Sequence, residues 1–318
     1  KEDLIYFPPA LSLIRALVDL GTQVVHLGYY SDEYQRNKLE EQGVKFVDLI
    51  KYNSSDSLVH KLAKQALFKK NVKNYLAKSN ITGNDYVWIL NMETICLLDG
   101  IIDKYRTILQ FYEFKTHSFN WKYWLMNPSF NLYKALHKAE KVVHCEYNRA
   151  QIFKGLYGLN TLPFILPNKP YIEDETIDRL PLDIKDIIDG IKTKTKGKKV
   201  ILYQGIFKSK ERRLQEFCQA IKEMPDDYVL IVMGKGNLEY ERLQKEFTCD
   251  RILFVPFIRP PYHLVVTEMA SICVLSYFPS SKSFSQTINP IYCAPNKIFE
   301  YAKFGKPMIS NNIPGLYY

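Results

Sequence analysis

The sequence of 318 residues has no apolar run near the roughly 18–20 residues that cross a bilayer, which excludes an integral helical membrane protein. No charged-then-apolar leader opens it, so as it stands it does not read as a secretory precursor. Glycine (14) and proline (16) are few and scattered, and no internal repeat occurs. Collagen-like, coiled-coil and low-complexity architectures are thereby removed. The six cysteines (Cys96, Cys145, Cys218, Cys249, Cys273, Cys293) lie far apart, without a CxxC pair or a Cys/His cluster at metal spacing. Neither a zinc site nor a disulfide framework is expected, and the thiols read as small core residues of a reducing compartment. Acid is in short supply as well. Against 43 Lys and Arg stand 34 Asp and Glu, a net charge of +9. That excess fits nucleic acid, an anionic membrane surface or a phosphorylated substrate. The basic residues are dispersed and no RNA or DNA module is present, so nucleic acid is the weakest of the three.

What is present is an alternation. At 47% hydrophobic and 24% charged the chain is globular, and at about 100–200 residues per domain its length predicts two domains. Helical periodicity follows Pro8-Pro9 (Ala10, Leu13, Ile14, Leu17, Val18), and a polar helix is expected over 32–42. Apolar strands are expected at 23–27, 44–49, 86–90, 107–111 and 141–144, and again at 200–203, 228–233, 251–255 and 272–275. Buried strands spaced by helices indicate a parallel sheet covered on both faces. Between Pro167 and Lys199 the pattern lapses into a surface connector with one helix near 184–191. The expected organisation is α/β, with two doubly wound Rossmann-like domains facing a central cleft: 1–170, a linker 171–198, and 199–318. The pattern also reads as clipped at both ends, lacking a first strand and a closing helix.

The most informative segment is Ala294-Pro295-Asn296-Lys297-Ile298-Phe299-Glu300-Tyr301 with Gly305-Lys306-Pro307. Pro295 would open a helix whose first amides, at Asn296, Lys297 and Ile298, face an anion. Lys297 adds a full charge. Glu300, one turn on, would lie on the same face and accept hydrogen bonds from a pair of sugar hydroxyls. Diphosphate at the tip and a diol one turn deeper is the shape of a nucleotide diphosphate. The plain alternative is a capped surface helix with an exposed Lys–Glu pair.

In that segment, in Val200-Ile201-Leu202-Tyr203-Gln204-Gly205-Ile206-Phe207, and in Leu230-Ile231-Val232-Met233-Gly234-Lys235-Gly236, the chain resembles two-Rossmann-domain (GT-B) glycosyltransferases. It is most similar to the retaining family 4 enzymes that build bacterial capsule and exopolysaccharide. Glu146-Tyr147-Asn148-Arg149-Ala150 and Leu166-Pro167-Asn168 echo a shorter pattern of the first half. The resemblance implies that Glu300 holds the ribose hydroxyls and that Ala294, Pro295, Asn296, Lys297 and Ile298 meet the diphosphate and donor sugar. After Gly205 it implies a basic clamp, best matched by Arg212, with Lys210 and Arg213 as competitors. Val255, Phe257 and Ile258 would flank the nucleobase, mostly through backbone groups. Two positions depart from the family pattern: Tyr292 stands where a second glutamate often sits, and Ile206 where an arginine usually follows the glycine.

The implied reaction moves a sugar from a nucleotide-diphosphate donor to a glycan or polyprenyl-linked saccharide. It uses no metal and no cofactor, and no DxD-type sequence stands out. Arg212 and Lys297 would stabilise the departing diphosphate by fixed electrostatics. On the acceptor side Glu113 and His117, just after a first-half strand, would line the cleft edge, the alternative being loop residues without catalytic duty. His26 and His144, inside apolar strands, read as core. The stretch 57–80 holds six lysines and no acid, with Leu62, Ala63, Ala66 and Leu67 on one side. Such a helix suits an anionic leaflet, as does the aromatic run 119–126, although solvated-helix and core readings are commoner. The expected location is cytoplasmic, with peripheral contact on the inner membrane face. Two other functions compete: a sugar-nucleotide epimerase of the same architecture, for which no acid/base set assembles, and a non-catalytic donor-binding subunit, suggested by Tyr292.

Overall fold

The computed structural model describes residues 3–51, 56–116, 125, 127–171, 180–280 and 283–317. The chain divides into two compact units, Lys1–Tyr171 and Ile172–Tyr318.

In the first unit β1 (Val25–Gly28) pairs with β2 (Lys45–Asp48). A separate sheet runs in the order β3 (Val87–Leu90), β4 (Thr107–Phe111), β5 (Lys141–His144), β6 (Phe164–Ile165), with every pairing parallel. One core joins the two sheets. Ala10 and Ile14 of the helix Pro8–Asp19 pack with Tyr30, Leu39 and Val44, and Tyr112 beyond β4 closes the cluster. Asp32 caps the polar helix Glu33–Glu41 by accepting from the Gln35 amide, as Asp does at a helix start. The expected strand at 23–27 is only half-buried, with Val25 exposed, because β1 has a single partner strand among the described residues. β6, two residues long, leaves no periodicity in the sequence to detect.

The lysine-rich helix forms as Leu58–Lys78, but its inner face differs from the expected one. Phe68, Val72 and Leu76, four residues apart, are buried, while Ala63, Ala66 and Leu67 point outward and Leu62 is half-buried. An aromatic anchor and two large aliphatics bury more apolar area than a stripe containing two alanines. The aromatic run 119–126 falls outside the described residues apart from Leu125.

In the second unit the strand order is β11-β10-β7-β8-β9, again all parallel: β7 Lys199–Gln204, β8 Tyr228–Gly234, β9 Ile252–Pro256, β10 Ile272–Leu275 and β11 Met308–Ser310. Alternate residues feed opposite faces, as a pleated strand dictates. Val200, Leu202, Val229, Ile231 and Met233 pack with Val266 and Tyr301 on one side. Ile201, Tyr203, Leu230 and Val232 pack with Leu214, Cys218 and Leu243 on the other. The stretch 171–198, expected as a connector, contributes the helix Leu182–Thr195. Its Ile184, Ile188 and Ile191 are buried in the second unit's core, so this helix is a covering layer of that sheet. Five of the six thiols are buried and Cys249 is exposed.

Candidate functional site

The chain starts the second sheet at β7, steps outward to β8 and β9, then returns to β10 on the other side of β7. The carboxyl ends of β7 and β10 flank that reversal, the usual ligand position in such sheets. Gln204 and Gly205 end β7 there, Ser276 and Tyr277 follow β10, and the turn 294–296 leads into the helix Lys297–Lys303.

Lys297 turns back onto the strand end. Its Nζ donates to the Gln204 carbonyl at 2.7 Å and lies 4.8 Å from the Tyr203 ring centroid and 5.4 Å from that of Tyr277. Gly205 makes the approach possible. A Cβ there would stand 3.0 Å from the ammonium, and its φ of +143° is one that other residues rarely adopt. Behind it, a Cβ on Gly234 would lie 2.0 Å from the Gly205 carbonyl oxygen, so the close crossing of the two turns requires glycine. Burial is the main cause that lowers the Lys297 pKa to about 7; the Arg212 charge adds to it and Glu300 partly opposes it.

Arg212 ends the short helix Ser209–Arg212 and is buried. Its guanidinium carbon sits 4.1 Å from the Tyr277 ring centroid, so both cations share one ring. Its Nη1 donates to the Ser276 and Glu211 carbonyls, each at 3.3 Å, and its own carbonyl accepts from the Ser276 hydroxyl. Every one of these partners is neutral, and Nε has no partner. Among the described residues neither Arg212 nor Lys297 has a carboxylate within ion-pair distance. The two competing basic residues are elsewhere. Lys210 is exposed. Arg213, at a left-handed φ of 44°, lies over Phe278 and near Glu216 at 3.8 Å.

Glu300 does not form the exposed Lys–Glu pair of the plain alternative. It is buried, its Oε2 accepts from Gln204 Nε2 at 2.6 Å, and its Oε1 stands 3.3 Å from His263 Nε2. Lys297 and Glu300 therefore meet on Gln204, one through its main chain and one through its side chain. The expected trio of free amides is also reduced, since the Ile298 amide donates to the Pro295 carbonyl at 3.4 Å. Ala294, Pro295 and Asn296 are half-buried. Val255 and Ile258 are core residues, and Phe257 between them is exposed. On the first unit Glu113 is exposed beyond β4, 3.5 Å from Lys115, which also pairs with Glu93. His117 lies outside the described residues. Glu146 caps the helix Tyr147–Tyr157 by accepting from the Asn148 and Arg149 amides, which accounts structurally for the motif around it. His144 is fully buried beside Phe111, with its pKa pushed down to about 3 by burial; burial likewise takes His26 to about 4. Among the described residues no group of three or more His, Cys, Asp or Glu could hold a metal ion.

Sequence reasoning did not find Gln204, His263, Thr267 or Tyr277. Gln204 had a signal, a polar residue ending an otherwise apolar strand immediately before a glycine.

No family model matches the sequence, and no curated protein matches it. Solved structures do match its shape. HepE of Anabaena, crystallised with UDP-glucose, is 12% identical over 96% of this chain and 78% of its own, with a TM-score of 0.63. A glycosyltransferase from Rickettsia africae is 15% identical over 96% of this chain and 76% of its own, with a TM-score of 0.58. WaaG, a glycosyltransferase involved in lipopolysaccharide biosynthesis, is 10% identical over all of this chain and 80% of its own, with a TM-score of 0.54. At such identities the likeness concerns architecture alone. Two α/β units with parallel sheets, matched along most of the chain by these proteins, give it the GT-B fold.

Proposed function

We propose that this chain transfers a sugar from a nucleotide-diphosphate donor to a glycan or lipid-linked saccharide. The observation that carries the reading is the Arg212–Lys297 pair: two cations on one tyrosine ring, at the switch point of a doubly wound sheet, with no carboxylate within ion-pair distance among the described residues. A fold keeps such a pair at an electrostatic cost, and a diphosphate would relieve it. Cleaving the bond from the anomeric carbon to the diphosphate oxygen leaves negative charge on the leaving group. Fixed cations beside that oxygen stabilise the transition state more than the ground state. The UDP-glucose held by HepE supports a nucleotide sugar as the donor class.

The finer features of the reading are a hexosyl donor, retention of anomeric configuration by front-face attack, independence of metal, and a role in cell-surface polysaccharide synthesis. Retention and the polysaccharide role rest on the resemblance to family 4; metal independence is supported by the two side-chain cations. Glu113 and His117 are the acceptor-side candidates. Contact with an anionic membrane is supported by the outward half of the helix Leu58–Lys78, where Val59 is 75% and Leu67 49% exposed and Lys70, Lys73 and Lys78 follow. Among the described residues no helix is long and apolar enough to cross a membrane.

A thermal-shift screen against nucleoside diphosphates and their sugar conjugates tests the reading, because a ligand that binds only the folded state raises its stability. A shift with one conjugate that disappears in Lys297→Met supports it; no shift with any overturns it. Binding without transfer or donor hydrolysis across acceptors would reassign the chain as a donor-binding subunit.

A further inference from the structure

Glu300 can grip a diol only if its carboxylate is held in one orientation, and the second unit supplies a side-chain chain for that purpose. The Thr267 hydroxyl donates to Gln204 Oε1 at 3.1 Å, and Gln204 Nε2 donates to Glu300 Oε2 at 2.6 Å. This fixes the amide orientation, since a flipped Gln204 would set its oxygen against the carboxylate. On the other side His263 Nε2 faces Glu300 Oε1 at 3.3 Å. A carboxylate only accepts, so the Nε2–H form of the ring is the one that would present a hydrogen to it. Among the described residues the buried His263 Nδ1 has no hydrogen-bond partner. The contact with Glu300 is thus the polar interaction that the structure gives this ring. His263 and Thr267 share one face of the helix His263–Met269, one turn apart, and the Thr267 hydroxyl lies 3.3 Å from the His263 carbonyl oxygen. Two residues of one helix therefore brace both oxygens of Glu300, one directly and one through Gln204. Each carboxylate oxygen still has a lone pair left for an incoming hydroxyl.

We propose that His263 is a positioning residue for Glu300, fixing the carboxylate so that it recognises the ribose of the donor. The inference rests on the donor-site reading above. His263 and Thr267 lie outside the motifs that carry the family resemblance, so the brace is read from the geometry.

The test compares affinities of matched ribo and 2′-deoxyribo nucleoside diphosphates (UDP and dUDP, GDP and dGDP, ADP and dADP) by calorimetry. In the wild type the preferred ribonucleotide should bind about tenfold more tightly than its deoxy partner, the worth of one hydrogen bond to a charged group. In His263→Ala that ratio should fall to about two, mostly through weaker ribonucleotide binding, with the deoxy affinity nearly unchanged. His263→Gln, which keeps an N–H donor, should restore most of it. Should His263→Ala fail to fold, Thr267→Val, which removes the other brace, should lower the ratio by a smaller factor. A ratio that survives in a folded His263→Ala protein, or equal losses for both sugars, would overturn the proposal. So would a wild type that binds both sugars equally. If the wild type binds none of the six nucleotides, the donor-site reading itself fails, and this inference with it.

Discussion

Two arginines of the second unit carry the same charge in opposite circumstances. Arg242, on the helix Leu238–Phe247, is held by Glu239 at 2.9 Å and Glu246 at 2.7 Å and is largely in water. Arg212 is buried, donates to the Glu211 and Ser276 carbonyl oxygens, and is accompanied by a second cation over the same ring. The first arrangement is a solvated ion-pair network, worth about 1 kcal/mol or less. The second lowers stability unless an anion arrives. The charge itself carries no functional meaning; its partners do, and an uncompensated cation in the interior marks where a ligand supplies the balance.

The largest effect should come from removing either cation over Tyr277. Arg212→Met and Lys297→Met should each reduce transfer about 10²–10³-fold, measured as kcat/KM for the donor, the scale of losing one transition-state charge contact. Loss of less than about threefold in both would erase the contrast with Arg242.

Next in size is a pH effect. Lys297, its pKa lowered to about 7 chiefly by burial, is charged below that value and neutral above it. A diphosphate favours the charged form, so binding above pH 7 must take up a proton. Affinity for a nucleoside diphosphate should therefore weaken by up to about fivefold between pH 7 and 8. Arg212→Met, by removing a like charge, should move that fall to higher pH. The same shift acts on stability. Between pH 7 and 10 the unfolded chain binds the lysine proton and the folded chain does not, so this group's contribution to stability rises with pH across that window. Lys297→Met should accordingly stabilise the protein most below pH 7, with the advantage shrinking as pH rises, as seen in melting curves from pH 6 to 9.

Gly315→Ala probes how the cation is delivered. A Cβ there would lie 2.4 Å from the Cys293 amide nitrogen and 2.7 Å from the Tyr292 carbonyl carbon, backbone that leads directly into the 294–297 turn. Overpacking should cost about 1–3 kcal/mol in denaturant unfolding and weaken donor binding with it. The smallest effect belongs to Arg242→Gln, which should change donor affinity less than twofold.

Much of the architecture was legible in the sequence because apolar runs such as Val200–Tyr203 and Tyr228–Met233 admit few alternatives to a buried strand. Ile184, Ile188 and Ile191 show where legibility stopped. Their helical spacing was visible, but the charged and lysine-rich neighbours on both sides read as a connector. On the helix Leu58–Lys78 an amphipathic pattern was visible too, yet two apolar stripes competed, and only packing chose Phe68, Val72 and Leu76. At the site, the turn at 294–297 and the trio Lys210, Arg212, Arg213 were found as candidates. The resemblance favoured Arg212, but nothing local fixed which of the three is buried, because burial of one side chain in a basic triplet depends on the strand it faces.

The sequence alone determined that strands alternate with helices, where they lie, and that lysine and glutamate follow a turn at Pro295, since periodicity and turn chemistry are local. The tertiary structure decided which cation turns inward, and that Glu300 is buried against Gln204 and His263 instead of standing in water beside Lys297. Residues 204, 263, 267, 297 and 300 meet only when β7 and two helices converge, and the electrostatic balance of a site is set by distances across that convergence.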